Sequence, residues 1–161
     1  MVAIPVTTSS TAPRTQRCDN APNTVAGTMF QHRALVSADL KLRTSQSVLW
    51  CASGSRTYIL LTPAVAIAGH AIESLLDAAT DHIIHLVEAV GDTTVTDGVF
   101  NWPTNNGLVL KAWNANNHQL TYGVLGAALD AVADYMNFHG FCRATFAVFD
   151  GANQVGEGVV G

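Results

Sequence analysis

The sequence predicts an α+β domain: a mainly antiparallel sheet with two long amphipathic helices packed on it, a two-layer sandwich. Three observations carry that prediction. Residues 72–90 and 125–136 repeat apolar side chains at helical spacing. Several shorter runs alternate apolar and polar residues, as a half-buried strand does. The turn signals between those runs, Ser53-Gly54-Ser55 and Asp150-Gly151, are short, which favours hairpins over crossovers. The expected order is β-β-β-α-β-β-α-β-β. Residues 1–30 read as an extended N-terminal arm and 31–161 as a single α+β domain.

Taken in order, the arm holds Pro5, Pro13 and Pro22 among many Ser and Thr residues, a composition that resists regular packing. Ala34 to Arg43 alternates Ala34, Val36, Ala38, Leu40 and Leu42 against a more polar set, a strand pattern. Ser47 to Ala52 and Thr57 to Leu61 form a hairpin across Ser53-Gly54-Ser55. Thr62-Pro63 is expected to start the first helix, with Thr as N-cap and Pro at the first helical position. Ile72, Leu75, Leu76, Ala79, Ile83, Leu86, Val87 and Val90 form its apolar stripe, and Gly91 closes it. Thr93 to Phe100 reads as a strand, 102–107 as a loop and Leu108 to Trp113 as a strand.

The second helix is expected to begin at Asn116, because Asn116-Asn117-His118-Gln119 has the capping-box pattern. Leu125, Ala128, Leu129, Val132, Tyr135 and Met136 share one face; Gly123, Gly126, Asp130, Asp134 and Asn137 share the opposite one. Gly140 ends the helix. Phe141 to Phe149 is a strand with Cys142, Ala144, Phe146 and Val148 on its buried side. Asp150 to Asn153 turns the chain, and Val155 to Val160 returns as an edge strand weakened by Gly156 and Gly158.

Of the 161 residues, 48% are apolar and 12% charged, the latter about half the usual share. A core is easily built, and the surface must be poor in charge or partly covered by another subunit. Residues 1–56 hold six basic residues against two acidic ones, and residues 57–161 hold two against ten. The basic third lacks the dense stripe with interleaved aromatics that nucleic acid requires, so no nucleic-acid partner is expected. No run reaches the roughly 18 apolar residues of a membrane span, and the first 24 residues lack the texture of a signal peptide. Cys18, Cys51 and Cys142 are an odd count without metal spacing. A disulfide from Cys18 to Cys142 or Cys51 is expected to pin the arm.

The chemistry-bearing clusters are modest. Asp81, His85 and Glu88 share a helix face and are weak metal candidates, while His82 and His85 lack the i, i+4 spacing of a helical zinc site. Asp130 and Asp134 read as solvating charges. His139 and Cys142 lie at a helix C-terminus, where the dipole opposes a thiolate. Gly156 to Gly161 matches GxGxxG without a following helix to present to a phosphate. Trp102, Trp113, Asn114, Asn117, His118 and Tyr122 form the better candidate set, since amides and aromatic faces suit a polar ligand, a sugar or a protein loop. No catalytic residue and no cofactor is expected.

Trp113-Asn114-Ala115-Asn116-Asn117-His118-Gln119, Thr121 to Ala128, the Ala144-Thr145-Phe146 strand and Asn153-Gln154-Val155-Gly156 resemble small secreted proteins of filamentous fungi, over the last third of the chain. That resemblance implies secretion and an effector-like or host-contact role, and supplies no catalytic residues. The expected function is therefore a secreted, non-enzymatic binding or effector-like protein for an unknown protein or polar small ligand. A small enzyme or metal-binding protein using the helix histidines is one alternative. A structural homo-oligomer is the other.

Overall fold

A computed structural model describes residues 15–30 and 47–161 of the chain. The strand expected over Ala34 to Arg43 and the first part of the N-terminal arm lie outside the described residues. Those described form an α+β structure with mostly antiparallel sheet. A short ribbon pairs β1 (Arg17–Cys18) with β2 (Ala21–Val25). Six further strands form one sheet in the order β3-β4-β7-β8-β6-β5. They are β3 (Val48–Cys51), β4 (Thr57–Ala66), β5 (Val99–Pro103), β6 (Val109–Asn114), β7 (Cys142–Asp150) and β8 (Asn153–Val160). All their pairings are antiparallel.

Two helices, α1 (Gly69–Val90) and α2 (Tyr122–His139), connect the strands. α1 buries Ile72, Leu75, Leu76, Ala79 and Ile83. α2 buries Leu125, Ala128, Leu129, Ala131, Val132, Tyr135 and Met136. These side chains share one apolar cluster with Trp50, Ile59, Leu61, Leu110, Ala112, Phe146 and Val148 from the sheet. The strand alternation expected for β7 is present, with Cys142, Ala144, Phe146 and Val148 buried.

Several boundaries differ from the sequence reading, each for a local reason. Thr62-Pro63 does not start α1. β4 runs on to Ala66, and Pro63 sits opposite Ala144 of β7 after β3 has ended at the Val48–Leu61 pair. The missing proline N–H therefore faces a side of β4 where, among the described residues, β3 pairing has ended. α1 begins after Ala68, without a side-chain cap. Val90, expected in the apolar stripe, is exposed at its end. Trp102 and Pro103, expected in a loop, belong to β5. Residues 96–98, expected in a strand, make a short 3-10 turn.

The capping box at Asn116 is absent. Asn116 and Asn117 take φ of 53° and 60°, and the His118 N–H donates to the Ala115 carbonyl at 2.9 Å. Two consecutive left-handed residues are the signature of a tight turn, and Asn tolerates that region better than most side chains. α2 is capped five residues later. Thr121 Oγ1 accepts from the Val124 N–H at 3.3 Å, and Asp92, beyond the end of α1, accepts from the Gly123 N–H at 2.7 Å. That carboxylate occupies the positive end of the helix. A Cβ at position 123 would crowd it.

The glycine face of α2, expected to point outward, instead lies against α1: a Cβ on Gly126 would come 3.2 Å from Ile83 Cγ2. β8, expected at an edge, is interior between β7 and β6. Its Gly158 has a packing reason, because the Phe146 ring occupies the space a Cβ would need.

Candidate functional site

Alternation divides the sheet into two sets of side chains. One set enters the core with both helices. The other follows the rung Leu60–Ala147–Glu157–Trp113–Val99 and the next rung Thr62–Thr145–Val159–Lys111–Asn101. On this second face Leu60, Thr62, Ala147, Trp113 and Val159 are half-buried, whereas Thr145, Glu157 and Lys111 are exposed. Between them lies a groove of ≈ 360 Å³. It is lined by the Trp113 indole, by Leu60, Ala147 and Val159, by hydroxyls of Thr62, Thr145 and Ser47, and by the Glu157 carboxylate.

Polar side chains fix two walls of this groove. Ser47 and Thr62 share a hydrogen bond of 2.8 Å between their hydroxyls. Gln154 Nε2 donates to Glu157 Oε1 at 3.0 Å, and Asn116 Nδ2 donates to Gln154 Oε1 at 3.1 Å. The Asn turn thus reaches the groove through Gln154. It positions the carboxylate and does not line the cavity.

At the β3 side of this face, Cys18 bonds to Cys51, with Cα atoms 5.7 Å apart and a sequence separation of 33. Of the two pairings open to Cys18, the structure has this one, and Cys142 is a buried free thiol. The disulfide lays the ribbon over Leu49, Cys51 and Tyr58. Ala21, Ala26, Phe30, Leu60 and Phe149 pack around them. Tyr58 and Phe149 stack at 4.8 Å. The described part of the arm is therefore fastened to the sheet.

The six residues expected to bind ligand do not share one site. Trp113 lines the groove. Trp102 lies on the opposite face, 4.8 Å from the His82 ring and 6.2 Å from Phe100. Asn114 is structural, its Oδ1 accepting from the Leu120 N–H at 2.9 Å. Tyr122 places its hydroxyl 3.3 Å from Thr96 Oγ1. Asn117 and His118 are exposed in the turn. Leu60, Thr62, Thr145, Glu157 and Val159 were not singled out from sequence. Their signal was the second half of each strand alternation, which marks a face without saying whether anything covers it.

The remaining clusters have simple environments. His85 Nδ1 lies 3.6 Å from Glu88 Oε2, with both side chains exposed. Among the described residues no three His, Cys, Asp or Glu side chains come together as a metal site would need. Burial pushes the Cys142 thiol up, partly offset by a hydrogen bond with the Ala64 backbone, so the thiol stays protonated and unreactive. The His139 ring packs on Tyr135 at 4.6 Å and on Trp50 at 5.4 Å. Asp134 is not a free solvating charge, since its Oδ2 accepts from Trp50 Nε1 at 2.7 Å. Burial, and secondly the Asp134 charge, raise the Asp130 carboxyl above its ordinary range. No described helix is long and apolar enough to cross a membrane.

Comparison with known protein families, with curated proteins and with solved structures finds no match for this chain.

Proposed function

We propose that this chain is a secreted, non-enzymatic binding protein, effector-like in role, whose groove around Trp113 takes a polar ring-bearing ligand of the sugar class. The arrangement is read as two layers, helices on one face of the sheet and the binding surface on the other. The observation that carries the reading is the composition of the groove: one half-buried indole beside three hydroxyls and a carboxylate whose position is fixed by Gln154. An aromatic face packs against the apolar side of a sugar ring, while hydroxyls and a carboxylate satisfy its O–H groups. No general acid–base pair or activated nucleophile accompanies these groups among the described residues.

The Cys18–Cys51 disulfide supports the secreted part of this reading, because such bonds persist in oxidising compartments. The resemblance to small secreted fungal proteins supports it from the sequence.

The test is a titration of soluble chitin, cellulose, xylan and β-1,3-glucan oligomers against the disulfide-bonded protein, read by tryptophan fluorescence and calorimetry. At least one oligomer is expected to bind, and Trp113→Ala to weaken it by tenfold or more, roughly the cost of an aromatic anchor, with melting unchanged. Binding of none of the four, or wild-type binding by folded Trp113→Ala, would overturn the site.

A further inference from the structure

We propose that the aromatic and acidic patch at the C-terminal end of α2 is a self-association surface that takes the basic first third of a second copy of this chain. The patch is independent of the Trp113 groove and shares no residue with it. Its apolar centre is Phe138, which is 64% exposed on a helix whose neighbours at Tyr135 and Met136 are buried. The ring is not a loose one: it tilts against the buried Trp50 at 6.0 Å, in the same nest as Tyr135 and His139. A large aromatic held in place and presented to solvent is the kind of side chain that anchors interfaces.

Its flank is acidic. Asp130 and Asp134 are one helical turn apart. Asp134 gives one oxygen to the Trp50 indole, which fixes the carboxylate beside the ring. Among the described residues the ion pairs are His70–Glu73 and His85–Glu88, both on α1, so neither aspartate has a basic partner there. Partial burial, and secondly the charge of Asp134, raise the Asp130 carboxyl above its ordinary range.

The chain itself carries the complement. Residues 1–56 hold six basic residues against two acidic ones, and 57–161 hold two against ten. Arg17 and Arg56, on β1 and at the β3–β4 turn, are exposed and make no ion pair among the described residues. Bringing two copies of the patch face to face would oppose four carboxylates. Bringing the patch of one copy to the basic third of another opposes unlike charges. An apolar centre with a charged rim then has the anatomy of a protein interface. The low charge content, 12% of residues, removes much of the repulsion that would otherwise keep copies apart.

Sedimentation velocity on the disulfide-bonded full chain tests this, over roughly 5 to 500 μM protein at about 50 mM and about 500 mM NaCl, since screening separates charge-guided association from apolar clustering. The sedimentation coefficient is expected to rise with concentration at low salt, and the dissociation constant to increase about tenfold at high salt. Phe138→Ser is expected to weaken association about tenfold through loss of the anchor. Arg56→Glu should weaken it in the same direction from the other side of the contact. Both side chains are exposed, so unchanged far-ultraviolet dichroism and melting are expected controls. A monomer at every concentration overturns the proposal, and so does association that persists unchanged in high salt or in Phe138→Ser. The oligosaccharide titration reads the groove separately, so either reading can fail without the other.

Discussion

The two faces of the six-stranded sheet are made by the same strands, one residue apart, yet they differ in what they do. On the helix side Ile59, Leu61, Leu110, Ala112 and Val148 are fully removed from solvent. On the other side Leu60, Ala147, Trp113 and Val159 are half-buried around a groove, with Thr145 and Glu157 exposed beside them. Strand propensity is common to both. What differs is the partner: one face meets two helices, while the other meets the disulfide-linked ribbon at its β3 side. Apolar burial is concentrated on the first face, while half-buried aromatic and aliphatic side chains mix with exposed polar ones on the second.

Truncation at neighbouring positions is the sharpest way to break that contrast. Leu61→Ala removes a fully buried side chain beneath the helices and is expected to cost about 2–5 kcal/mol, the sum of lost transfer energy and a residual cavity. Leu60→Ala, one residue away on the half-buried face, should cost less than about 1.5 kcal/mol. Urea unfolding of the two variants measures both. Equal losses would mean that the groove face is as tightly packed as the core, and the division of labour would fail.

The disulfide gives the next largest effect. A link closing a loop of this length restrains the unfolded chain, so Cys18→Ser with Cys51→Ser should lower stability by about 3 kcal/mol. Urea unfolding in the presence and absence of reductant should give the same difference for the wild-type protein. Because Cys18, Leu49 and Tyr58 are buried together at that side, the reduced protein should also expose Tyr58 to quenching first. A loss below about 1 kcal/mol would show that the ribbon stays seated by packing alone.

Much of the fold was legible because it rests on periodicity. The alternation in β7, the helical stripe from Ile72 to Ile83 and the Asp150–Asn153 turn are all where the pattern puts them. What was misread came from signals that two structures share. Thr-Pro marks a helix start as readily as a strand that has lost one neighbour, and here tertiary pairing to β7 kept the strand going. Asn116-Asn117 fits a cap or a left-handed turn, and nothing local distinguishes them. Gly156 and Gly158 suggested an edge, but in the sheet centre a missing Cβ makes room for Phe146. Of the candidate site, Trp113 was found as an aromatic near a strand end. Its companions come from β3's flank, β4, β7 and β8, and only the strand order brings them together.

The cap of α2 sharpens the same contrast at smaller scale, because it holds the helix that covers one face. Thr121→Ala should cost about 1 kcal/mol, since Val124 loses its hydrogen-bond acceptor. Asn116→Gly should be nearly neutral for folding, because glycine adopts the left-handed conformation readily. Thermal unfolding of both variants is the check, and a larger loss at Asn116 would restore the capping role the sequence suggested.

The smallest effect concerns Asp130, on the outward side of the helices. Burial, then the neighbouring Asp134 charge, raise its carboxyl in the folded protein above the unfolded value near 4. A raised acid binds its proton more tightly when folded. Its favourable contribution is therefore complete below the unfolded value and is lost as pH rises through the folded one. Asp130→Asn removes that dependence. Relative to the variant, the wild-type protein should lose stability as pH climbs from the ordinary carboxylate value through the raised folded one, and it should be slightly the less stable of the two at neutral pH. Urea unfolding across that range reads the difference. A variant less stable than wild type at pH 7 would mean that Asp130 has found a countercharge, and that the outward side of α2 is already paired where the proposed contact needs it free.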